Sequence, residues 1–145
     1  MKHFLPGFLL LISSFCSAQK YTLIDKTMAQ PLFHANNVTA EHTYKNFFAV
    51  ERNTLKQFIA EVEKIALILS DKKKPKPQSL ETFVGKTRFV GLKVPSGAEE
   101  RFDVVLTTDI GGAKVYMHLS DSKISNSRNA FFINTWLKYI KSYVK

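Results

Sequence analysis

The 145-residue sequence holds one cysteine, Cys16, and only 12 acidic residues against 21 lysines and arginines. Cys16 lies in the first 18 residues, MKHFLPGFLLLISSFCSA. These read as a secretory signal peptide, with Lys2 as a short positive region and Phe4 to Ile12 as the apolar region. That run is far shorter than the roughly 20 apolar residues needed to span a bilayer, and no longer one follows. Small residues at Cys16 and Ala18 place cleavage after Ala18. A lipoprotein reading, with Cys16 acylated, is disfavoured by Phe15, where a small residue is expected. The chain from Gln19 then has no cysteine at all. Disulfides, thiol nucleophiles and cysteine-ligated zinc are thereby excluded from it. Its stability must come from packing, and 127 residues suffice for a core.

Other absences narrow the chemistry. No glycine-rich loop leads from a strand into a helix, so phosphate cradling by that route is not expected. The histidines form no i, i+4 pair; His34 and His42 stand eight apart beside Glu41, so neither a metal nor any other cofactor is expected. The serines at 120, 122, 125 and 127 have no neighbouring base and no strained turn to activate one of them. Glu61 and Glu63, two apart on a helix, diverge and cannot act as a pair. No recognition motif supports nucleic acid as a partner, despite the charge.

What is present is a pattern of strands and helices. From Phe102 to Leu119 two alternating runs flank Gly111-Gly112, a signal for a two-residue hairpin whose central residues need positive φ. The turn sets Asp109 opposite Lys114, Thr107 opposite Tyr116, Leu106 opposite Met117 and His118 opposite Val105. Phe102, Val104, Leu106, Thr108 and Ile110 then share an apolar face with Ala113, Val115, Met117 and Leu119. A slip of one residue would invert all of them. Thr82 to Val94 adds more strand, with Gly85 and Gly91 read as bends or bulges and Pro95 to Ala98 as the turn into the hairpin. Together these form an antiparallel meander.

A long amphipathic helix runs from Thr54 to Ser70. Its stripe is Leu55, Phe58, Ile59, Val62, Ile65, Ala66 and Leu69, and Thr54 with Gln57 matches a capping box. The run Asp71-Lys72-Lys73-Lys74-Pro75-Lys76-Pro77 ends it. Before it, Tyr44 to Glu51 reads as a strand covered on both sides, and Lys20 to Lys26 as a short edge strand. Met28 to Thr43 reads as loop with at most one helical turn, and carries the glycosylation-like triplet Asn37-Val38-Thr39. Ser120 to Arg128 is turn-like. A second helix follows, with Ile133, Trp136, Leu137, Ile140 and Val144 as its stripe and Phe132, Tyr139 and Tyr143 beside it. Phe131, Phe132 and Trp136 could line a groove, but aromatics at helical spacing usually belong to the core. The expected fold is α+β: one domain from residue 19 to 145, an antiparallel meander packed on one face by the long helix, with a second C-terminal helix.

The loss of Lys2 leaves the exported chain a formal charge of +8. Such a surplus favours an anionic surface or an acidic protein. Its expected carriers are Lys72, Lys73, Lys74 and Lys76 at one helix end and Lys138, Lys141 and Lys145 at the other. The expected function is an exported, periplasmic or secreted, non-enzymatic binding or inhibitor module for an anionic or acidic envelope partner. The wetter hairpin face at Tyr116 and His118 is the second place to look. Two further readings are a small envelope hydrolase using His118 with Asp103 or Asp109, and a structural accessory docked through its lysines.

Overall fold

The computed structural model describes residues 21–25, 35–37, 47–110 and 113–144. Residues 1–18, read as a signal peptide, with Cys16 among them, and His34, His42, the Gly111-Gly112 pair and Lys145 lie outside them. The elements are β1 (Tyr21–Asp25), β2 (Ala35–Asn37), β3 (Phe47–Glu51), α1 (Leu55–Ser70), β4 (Ser79–Val84), β5 (Thr87–Ser96), β6 (Glu99–Ile110), β7 (Ala113–Ser120) and α2 (Asn126–Lys141). Strands β4 to β7 form an antiparallel meander, and β2 extends it at the β7 edge. β1 and β3 form a separate antiparallel pair. The protein is α+β, with α1 and α2 on one face of the sheet.

The hairpin has the expected register. Asp109 lies opposite Lys114, Thr107 opposite Tyr116, Leu106 opposite Met117 and Val105 opposite His118. Phe102, Val104, Leu106 and Thr108 are buried, as are Val115, Met117 and Leu119. The register then shifts between Val104 and Val105, so that Val104 pairs with Ser120. The cause is the Ser120 side chain. Its hydroxyl donates to the Phe102 carbonyl at 2.6 Å and accepts from the Val104 amide at 2.9 Å. Ser120 is fully buried and ends β7, where the sequence suggested the start of a polar turn.

β6 runs on past the end of β7, and its next open groups are met by α2. Asn126 accepts from the Phe102 amide at 3.3 Å and donates to the Glu100 carbonyl at 2.6 Å. A buried strand edge without such partners would cost free energy. Asn129 does the same for the β7–α2 loop, donating to the Asp121 and Ile124 carbonyls. α2 therefore begins at Asn126, with Ser125 as N-cap accepting from the Arg128 amide, earlier than its apolar stripe suggests.

The α1 stripe is core at every expected position. Phe58 is its centre: its ring lies 5.5 Å from Phe89 of β5 and 6.2 Å from both Phe48 of β3 and Trp136 of α2. The capping box does not form. Residues Arg52–Thr54 make a 3₁₀ turn, and the Thr54 hydroxyl donates back to the Glu51 carbonyl instead. Two glycines also differ from expectation. Gly85, at φ +56°, turns β4 into β5 and divides the stretch read as one strand. Gly91 is regular strand, and it is small because the buried Phe102 ring lies over it: a Cβ there would meet Phe102 Cζ at 2.5 Å. Ala35–Asn37, read as loop, is strand paired with β7.

Candidate functional site

The C-terminus of α1 is built by two side chains that fold the chain back on itself. The Asp71 carboxylate accepts from the Lys73 and Lys74 amides at 2.9 and 3.2 Å. Those bonds, aided by the charges of Lys74 and Lys76, hold its pKa below the ordinary carboxylate value. The turn leaves Lys72, Lys73 and Lys74 exposed. Lys76 differs. It is 8 % exposed, and its ammonium donates to the Ile68 and Asp71 carbonyls at 2.5 and 2.6 Å. These carbonyls lie at the negative end of the helix dipole, so Lys76 acts as a C-cap and is withdrawn from the surface group. Its amide donates to Glu100 at 3.0 Å, which with Lys93 at 3.2 Å lowers the Glu100 pKa.

The second lysine group lies on α2. Lys138 is exposed, and Lys141 forms an ion pair with Glu63 of α1. Lys138 and Lys141 line a groove of about 440 Å³ between the helices, with Ala66, Leu67, Asn134 and Leu137. The helices are antiparallel: the end of α1 at Leu69 lies beside Asn126 and Ser127, while Glu63 meets Lys141. Nine residues separate Glu63 from Lys72, roughly 13 Å along the axis. The two groups are thus spaced along one helical layer rather than joined in a knot.

Charge is divided between the layers. Residues 79–120, the meander, hold five cations and five carboxylates. Residues 52–78 and 121–145, which contain the helices, each carry a net charge of +4. Eight of the chain's nine excess charges therefore belong to the helical segments. No protein-family model matches the chain, and no curated protein or solved structure is detectably similar to it. The assignment of function thus rests on the physical character of these two faces.

The other face of the sheet carries Tyr116 and His118, both half-buried, on the side away from the helices. Rows of cross-strand neighbours run Phe83, Arg88, Thr107, Tyr116 and Glu81, Val90, Val105, His118. Arg88 pairs with Glu81 at 2.7 Å. Asp103 accepts from the Ser122 amide, which holds its carboxylate at the β7–α2 loop. Among the described residues no hydrogen bond or ion pair joins His118 to a carboxylate, and no group of three His, Cys, Asp or Glu side chains is placed to hold a metal. No helix of the described residues is long and apolar enough to cross a membrane.

A cleft of about 610 Å³ lies between Lys72–Lys76, Ala98–Glu100 and the first turn of α2. It joins exposed lysines to a helix N-terminus, the usual ingredients of an anion site. Here two of the helix donors have internal partners: Glu99 accepts from the Asn126 amide at 3.4 Å and Ser125 from Arg128 at 3.3 Å. What faces outward is the lysine turn itself. Leu67 escaped the reading of the sequence, and Phe131 is a groove candidate that helical spacing assigns to the core; they are 69 % and 67 % exposed. Leu67 falls off the α1 stripe, three residues from Lys64, and that spacing was its signal. Of the three aromatics grouped with a groove, Trp136 is core, Phe132 is half-buried and Phe131 alone is open to solvent.

Proposed function

We propose that the protein is an exported, non-enzymatic binding module that holds an anionic envelope partner against its helical layer. The supporting observation is the division of charge: a neutral meander beneath two helical segments with a net charge of +4 each. Fixed charge on one face orients an anionic partner during encounter and raises the association rate, and salt screens the effect. The exposed carriers are Lys72, Lys73, Lys74 and Lys138, none of which is salt-bridged to a described carboxylate; Lys141 contributes less because Glu63 pairs with it. Export follows from the signal-like first 18 residues.

The test is binding of the chain from Gln19 to polyglutamate and to a sulfated glycan at low and high ionic strength. The Debye length falls from about 30 Å at 0.01 M to about 3 Å at 1 M. Binding at the first and its loss at the second is the expected result. No binding of either polyanion at low salt would remove the reading.

A further inference from the structure

We infer that the anionic partner is a lipid bilayer surface, and that Leu67 and Phe131 insert into it between the lysines. The inference rests on the proposed function and specifies its partner. Leu67 borders the interhelical groove together with Asn134 and Lys138. Phe131 lies three and seven residues before Asn134 and Lys138, so all three share one face of α2. The outward face of the helical layer thus carries two large apolar side chains, more than two-thirds exposed, beside Lys138, which has no carboxylate partner among the described residues, while Lys64 and Lys141 on the same layer pair with Glu61 and Glu63.

Single exposed apolar residues are ordinary on protein surfaces. The meander shows this with Phe83 and Leu92, 62 % and 54 % exposed among balanced charges. Among the described residues, only the helical face combines apolar side chains with an excess of cations. That combination is the character of a surface that lies in a membrane interface. Apolar groups enter the boundary between headgroups and acyl chains, while lysine stems reach back to the phosphates. Anionic lipid at the surface adds attraction that falls off within a Debye length. A protein partner would need a complementary hollow for each anchor or a matched set of charges. A fluid bilayer needs neither, because lipids rearrange around side chains that project singly from two helices.

The test uses the chain from Gln19. It contains every described element and the whole core, and it omits the apolar run Phe4 to Ile12, which would bind lipid by itself. Binding is measured by co-sedimentation with vesicles of phosphatidylcholine alone and of phosphatidylcholine mixed with phosphatidylglycerol. Polyglutamate serves in parallel as an anion without an apolar phase. The wild-type chain is expected to bind only the anionic vesicles. Leu67→Ala with Phe131→Ala should weaken that binding roughly tenfold, because affinity scales with the apolar area buried. Polyglutamate binding by the same variant should not change. Both positions are exposed and alanine suits a helix, so far-UV circular dichroism should stay as in wild type. Phe83→Ala with Leu92→Ala, on the neutral face, should leave vesicle binding intact. Equal vesicle binding by the wild type and the Leu67/Phe131 variant would overturn the inference. So would binding to polyglutamate without binding to vesicles, which would direct the search to an acidic protein and leave the proposed function standing. Failure of both probes would remove the two together.

Discussion

Lys76 stands in a run of lysines, and its neighbours in sequence are no guide to its role. Its ammonium is buried on the last carbonyls of α1, while Lys72 to Lys74 are open to solvent. Lys76→Ala should lower stability by about 1–3 kcal/mol, the cost of leaving buried carbonyls unpaired. Lys73→Ala should stay within about 0.5 kcal/mol, as is usual for exposed positions. Urea melts of the two variants decide this. The sequence showed a helix end rich in lysine but could not separate the capping lysine from the surface ones, because the difference arises only after Pro75 turns the chain. Asp71 and Glu100, which support this turn, are both held below the ordinary carboxylate pKa, by backbone amides first and by lysines second. The unfolded chain therefore takes up protons at higher pH than the folded one. Their contribution is complete above about pH 5 and is lost as pH falls through the lowered values. Urea midpoints should drop between about pH 5 and pH 3, and less steeply in Asp71→Asn with Glu100→Gln. Parallel slopes in the variant and wild type would contradict the assignment.

Among the elements, α1 was the most legible and the ends of strands the least. The apolar stripe of α1 fixed its buried face at all seven positions, because burial of one face is what a 3.6-residue period records. Phe58, packed on rings from β3, β5 and α2, should cost about 3–5 kcal/mol when changed to alanine. Lys56→Ala, on the opposite face, should cost under about 0.5 kcal/mol. Similar denaturant midpoints for the two variants would show that α1 is not packed as described. The hairpin register was legible too, since face alternation and the spacing of the two runs agree. The start of α2 was not. Asn126, Asn129 and Ser120 are polar yet buried, and they are buried because β6 extends beyond β7 and its open groups need partners. That need comes from strand pairing far along the chain, so no local pattern announces it. The capping box failed for a related reason: the 3₁₀ turn at Arg52–Thr54 directs the Thr54 hydroxyl back to Glu51. The three-residue strand β2 carries too little alternation to be seen before its neighbour β7 is known.

At the scale of the whole molecule the antiparallel sheet separates two unlike surfaces. One is the helical layer with most of the net charge, and the other is the open face of a neutral meander. The excess of lysine was plain from composition, and the two helix ends could be named from the sequence. Their disposition could not, because it depends on α1 and α2 running antiparallel, which sets Lys138 along the flank of α1 and Lys72 to Lys74 beside the start of α2. Tyr116 and His118, the second candidate surface, lie on the other side of the sheet from the lysines. The central claim is that the position of the charge, rather than its total, makes the binding surface. It is tested most directly by two variants with the same net charge: Lys72→Gln with Lys73→Gln on the helical side, and Lys86→Gln with Lys114→Gln on the meander. Affinity for polyglutamate at low ionic strength is the measurement. The account predicts a loss of severalfold for the first pair and little change for the second. Equal losses would show that only total charge matters and would contradict it.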